Sequence, residues 1–177
     1  PPPRLTPDQK LADVLPLLGT LQIQSLMTAL DQRLAQAIRT GDVAQLRRMS
    51  SCGALNRLAS RADITLAIWA ARDLAYEQAE SCLLRAIQRA DSPAMLAEAT
   101  ARLAVIYLQP DELHMPSTAS DLLKRLGTEF ASVVLPADVL EAEWPEPSQT
   151  TAVAARQITG QEAERALRRR INFAHRP

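Results

Sequence analysis

Glycine, aromatic residues and long apolar runs are all scarce in this chain of 177 residues. Its five glycines are isolated, and the phosphate-cradling pattern of a Gly followed four residues later by Gly-Lys-Ser/Thr is absent. Aromatics make up 3% of the sequence, so Leu and Ala must build most of the core. β-Branched runs are nearly missing, and Val133-Val134 is too short to argue for a sheet. The two cysteines, Cys52 and Cys82, give no disulfide framework and read as small buried hydrophobes. No apolar run approaches the roughly 20 residues of a membrane-spanning helix. No signal peptide is visible, so a cytoplasmic location is the expectation, with a leader lost before Pro1 left open.

An excess of one charge is missing too. The formal net charge is zero, so no global field draws the chain to nucleic acid or a membrane surface. The charges are nevertheless segregated. Residues 127–150 hold Glu129, Asp138, Glu141, Glu143 and Glu146 with no Lys or Arg, whereas 151–177 hold six Arg against Glu162 and Glu164.

What the chain does have is helical periodicity, in a composition that is 47% hydrophobic. Leu- and Ala-rich faces suit helix-on-helix packing, because small residues let helix axes approach closely. The expected fold is all-α, with a helical body over 1–135. Leu11, Val14 and Leu15 mark a first helix, capped by Thr6 or Asp8 and broken at Pro16. A long helix is expected from Thr20 to Arg39, ended by Gly41-Asp42, with short helices at 43–49 and 53–60. Asp63 reads as the cap of a helix over 64–73, and Leu74-Ala75 as the turn into 76–90. Ser92-Pro93 reads as cap and first helical residue of the next helix, which runs to about Leu108. Ser117 is the expected cap of a helix over 118–126 closed by Gly127, and 129–135 are expected to continue as helix. Residues 136–157, with Pro136, Pro145 and Pro147, read as a flexible, acidic, Pro-containing connector. Thr159 to Glu162 has the capping-box pattern and opens a basic amphipathic C-terminal helix within 158–174.

Within the body, Leu66 and Ala67 lie on one helix, and Tyr76, Ala79, Leu83 and Ala86 lie on one face of the next. Leu103, Ala104 and Tyr107 repeat the first pattern, and Ala119, Leu123 and Leu126 supply a second partner helix. Over 62–126 these hairpins resemble tetratricopeptide repeats. The match departs from the family where Asp63 and Thr100 fill its Trp position and where Ala70 replaces a Tyr; a short α-solenoid or another helical bundle is the alternative. The resemblance implies a concave groove that holds an extended peptide or a partner helix.

No Gly-x-Ser-x-Gly elbow or His-Glu-x-x-His motif occurs, and His114 and His175 have no second ligand at metal spacing. The pairs Glu77/Glu80 and Asp138/Glu141 read as solvated helix faces, and Trp69 as core, with groove lining the alternative. No catalytic residue, metal or cofactor is expected. Arg72, Tyr76, Arg102 and Tyr107 are the candidate partner-binding residues of the hairpins. Trp144, in its acidic setting, either docks back on the body or anchors a partner. On the last helix the candidates are Leu167, Arg168, Arg169, Arg170, Ile171 and Phe173, a basic and an apolar side suited to docking on this chain, a second copy or a larger assembly. The sequence thus points to a non-enzymatic protein-binding adaptor or chaperone, of the kind bacterial secretion and assembly systems use. The alternative is a nucleic-acid-associated helical protein that uses the Arg-rich helix.

Overall fold

Caps and breakers set the joints of this chain. The computed structural model describes residues 7–109, 113–140 and 157–174. Helix α1 (Pro7–Val14) gives way at Pro16 to a 3-10 turn, Leu15–Leu17. Helix α2 (Thr20–Thr40) ends at Gly41, whose φ of 67° lies in the left-handed region that a residue without Cβ enters freely. The Asp42 carboxylate accepts the Gln45 amide at 2.9 Å and starts α3 (Val43–Ser50).

The helices expected at 53–60 and 64–73 are one helix, α4 (Asn56–Arg72). No Pro or Gly lies within that span, so nothing interrupts it. Asp63 is therefore not a cap but a buried mid-helix residue, held by side chains of α3 and α5. Leu74, at φ 59°, reverses the chain, and the Ala75 amide reaches back to the Ala70 carbonyl at 2.8 Å, as in a Schellman closure. Helix α5 (Tyr76–Arg89) follows. Ser92 Oγ accepts the Met95 amide at 3.4 Å, with Pro93 at the first position of α6 (Pro93–Tyr107).

Helix α7 (Pro116–Thr128) starts before Ser117, with Pro116 in its first turn. Gly127 does not close it but lies in its last turn, where an added Cβ would come 3.2 Å from Glu164 Cγ. The helix also stops short of 129–135. Val134–Pro136 form strand β1, which pairs antiparallel with β2 (Gln157–Thr159) in the register Val134 to Thr159 and Pro136 to Gln157. The short β-branched stretch finds extended geometry only because β2 supplies its partner. Residues 137–140, expected in the connector, form a 3-10 helix in which Asp138 and Val139 are buried. Residues 141–156 lie outside the described residues. Helix α8 (Gly160–Ala174) begins with the expected capping box: Glu162 accepts the Thr159 amide at 2.7 Å and Thr159 Oγ1 accepts the Glu162 amide at 3.3 Å.

The fold is all-α, with helices stacked in sequence order: α3 on α4, α4 on α5, α5 on α6, α6 on α7 and α7 on α8. Fully buried alanines line the contacts, among them Ala59, Ala62 and Ala67 of α4, Ala79 and Ala86 of α5, and Ala97 and Ala104 of α6. Their small size lets the axes close up, and Ser60 uses the short distance to donate to the Ala86 carbonyl at 3.1 Å. Helix α8 docks on the same body, burying Ala163 and Leu167.

Candidate functional site

An open groove of about 870 Å³ runs along the helical body. Its two long walls are the first helices of the two hairpins, α4 and α6. From α4 come Arg57, Arg61, Ile64, Thr65, Ile68 and Trp69, a helical stripe three and four residues apart. From Arg57 to Trp69 that stripe covers twelve helical rises, or about 18 Å. From α6 come Ala94, Met95, Glu98 and Arg102, with Asp91 and Ser92 just before them. Ile38 of α2 contributes at one place, and Val134, Pro136 and Asp138 at another. Apolar Ile64, Ile68, Trp69 and Met95 thus alternate with charged groups.

An ion-pair cluster forms part of the lining. Arg102 is 1% exposed, and its Nη2 donates to Glu98 Oε1 at 2.9 Å and to Asp138 Oδ2 at 3.0 Å. Burial works against its charge, but the Glu98 and then the Asp138 carboxylate outweigh that, and the guanidinium holds its proton more tightly than usual. The Arg102–Asp138 pair also ties α6 to the 3-10 helix. Asp138 Oδ1 has no hydrogen-bond partner among the described residues.

A second cluster sits behind α4. Buried Asp63 accepts Ser50 Oγ at 2.7 Å and Arg85 Nη2 at 2.9 Å, and it lies 3.5 Å from Arg89 Nη1. Arg89 also donates to the Ser50 carbonyl. One carboxylate thereby joins α3, α4 and α5. Arg85 donates to Cys82 Sγ as well; burial nevertheless raises the Cys82 thiol above its ordinary value, because the charges of Arg85 and Arg47 offset it only in part. A smaller cavity of about 320 Å³ lies here, lined by Arg47, Ser50, Cys82 and Arg85 among others. Neither Cys52 nor Cys82 is in a disulfide. Among the described residues no cluster of His, Cys, Asp and Glu could hold a metal ion, and no helix is long and apolar enough to cross a membrane.

The structure divides the sequence candidates. Of the four on the hairpins, only Arg102 lines the groove, and it does so as a buried, doubly paired residue. Tyr107 is core rather than surface: its ring is buried and its hydroxyl donates to Glu80 Oε1 at 2.5 Å. Tyr76 packs half-buried against the core, and Arg72 is half-exposed at the end of α4; neither lines the groove. Leu167 is fully buried between α8 and the body, so it offers nothing to an external partner. Arg168 is paired with Glu164 one turn earlier, while Arg169 is exposed, so the arginine run is not a row of equally free cations. Trp144 and the side chains of Arg170, Ile171 and Phe173 lie outside the described residues.

Three sequence readings need correction or extension. Asp138 is not on a solvated helix face; it is buried against Arg102. Trp69, read as core or else groove lining, does both: it packs on the core and lines the groove. Arg57, Arg61, Ile64, Ile68 and Met95 were not singled out as site residues. For the four on α4 the signal is a single helical stripe at positions 57, 61, 64, 65, 68 and 69 beside the Ala-rich contact face; Met95 lies on α6. No family model, curated protein or solved structure matches this chain, so the reading of the groove rests on its geometry and chemistry alone.

Proposed function

We propose that the protein is a non-enzymatic adaptor or chaperone, built from tetratricopeptide-like hairpins, that holds an extended segment of another protein in the groove between α4 and α6. The observation that carries this reading is where the groove lies. The first helix of one hairpin and the first helix of the next form its two long walls, and both expose apolar and charged side chains there. A length of about 18 Å accommodates five or six residues of extended chain at roughly 3.3 Å each. Docking would cover Ile68, Trp69 and Met95, and a partly exposed Trp is the kind of residue on which binding energy concentrates.

The test places a photo-crosslinking residue at Thr65, which is half-exposed in the groove, and separately at Arg169, exposed on α8. In native-host extract the Thr65 probe should capture defined peptide segments that Met95→Arg abolishes, and the Arg169 probe should not capture them. Capture at Arg169 alone, or capture at Thr65 that Met95→Arg leaves intact, would overturn the groove as the docking site.

A further inference from the structure

We infer that the groove selects an extended segment of mixed charge, one that turns acidic side chains toward α4 and basic side chains toward α6. This rests on the docking reading above and names the chemistry of its occupant. The α4 wall carries two exposed cations, Arg57 and Arg61. Asp31 offsets Arg61 only weakly, at 3.6 Å between side chains that are 47% and 38% exposed. The opposite side carries Asp91 ahead of α6, and Glu98 and Asp138 paired with the single guanidinium of Arg102. Arg102 is satisfied by two of these acids at once, so the α6 side keeps an excess of negative charge, and Asp138 Oδ1 remains unbonded among the described residues. The potential therefore changes sign across the groove rather than along the whole surface.

An extended chain points successive side chains to opposite sides. An acid and a base separated by an odd number of positions would therefore meet both walls together. The same chain in the reverse direction would still do so, but a segment of one charge sign would be repelled by one wall. Partly exposed Ile68, Trp69 and Met95 between the charges ask for at least one large apolar residue in the segment. Charge complementarity of this kind sets partner choice and register more than raw affinity.

The probe is a random dodecapeptide library selected on the full chain, with the bound surface of each recovered peptide mapped by hydrogen exchange. Recovered peptides should protect α4 and α6 and share an acid and a base at odd separation beside a Trp, Leu or Phe. Reversing the α4 wall with Arg57→Glu and Arg61→Glu should weaken such a peptide about tenfold. Replacing the peptide's acid by Lys should restore binding to that variant, which also shows that the variant is folded. Asp91→Lys on the other side should weaken the original peptide and be rescued by Glu in place of its base. Peptides that protect the groove without the charge pattern, or that ignore both reversals, overturn the inference and leave the docking reading standing. Peptides that protect other surfaces, or a library with no enrichment, overturn both.

Discussion

Helices α2 and α4 are both amphipathic, yet they end in different environments. Of the 21 residues of α2, only Leu34 and Ala37 are buried, and Leu21 is 81% exposed. Of the 17 residues of α4, ten are buried. The difference lies in the neighbours. Helix α4 is packed by α3, α5 and α6 together, whereas α2 touches α3 and α4 mainly through its C-terminal half. An apolar stripe buries one face; alanines on further faces let more helices approach, and α4 has them at 59, 62, 67, 70 and 71. On α4 a stripe beside the buried faces stays partly uncovered, and that stripe is one wall of the groove.

The sharpest way to break this comparison is to charge each helix neighbourhood in turn. Leu83 of α5 is fully buried at the α4 contact, so Leu83→Asp should cost about 4 kcal/mol or more and abolish cooperative thermal unfolding followed by circular dichroism. Leu21→Asp in α2 should shift stability by no more than about 0.5 kcal/mol. Equal melting temperatures for the two variants would dissolve the distinction.

Arg102→Ala comes next. It leaves Asp138 buried without its cation, at a cost of about 3 kcal/mol, while Glu98, partly exposed, can turn to water. Arg102→Met combined with Asp138→Leu should recover most of that loss in a urea titration, since an apolar pair of similar size removes both charges. Failure to recover would show that the pair positions the 3-10 helix in a way packing cannot replace.

Gly160→Ala should act more locally. The added Cβ would stand 2.2 Å from the Phe130 carbonyl oxygen, so α8 must shift, at a cost of about 1–3 kcal/mol. Amide exchange should accelerate in α8 while α4 and α5 keep their protection. Uniform acceleration would mean that α8 unfolds together with the hairpins.

Among the buried positions the smallest effect is expected at Tyr107. Burial first, then the hydrogen bond and charge of Glu80, hold the phenol protonated above the ordinary tyrosine range. The unfolded chain ionises first as pH passes about 10, so the stability from this group is fully present below that pH and lost above it. Tyr107→Phe should cost about 1 kcal/mol at neutral pH, through the lost bond to Glu80, and make the alkaline loss of stability shallower. Cys82, whose thiol is raised from 9.0 mainly by burial, acts in the same direction and should leave a residual decline that starts at lower pH. An unchanged alkaline slope would remove Tyr107 from that balance.

How much of this was legible in the sequence depended on how far apart the interacting residues lie. Ser92-Pro93, Gly41 and the Thr159–Glu162 box act within a single turn, and the structure has each where the residues indicate. Asp63 misled because an acid ahead of an apolar run looks like a cap, and the cation that holds it, Arg85, is 22 residues away. Asp138 misled for the same reason, since Arg102 is 36 residues away. Gly127 reads as a helix end and Gly160 as the first residue inside a capping box, and both also make room for another segment, Glu164 at one and the Phe130 carbonyl at the other.

The sequence by itself determined the all-helical class, most helix joints and the Ala-lined contacts, because propensity, capping and periodicity are properties of neighbouring residues. Only the tertiary structure decided that Arg102, Tyr107 and Leu167 face inward while Trp69, Met95, Arg57 and Arg61 line a groove. Each helix has more than one face that could be buried, and the number and placement of its packing partners choose among them.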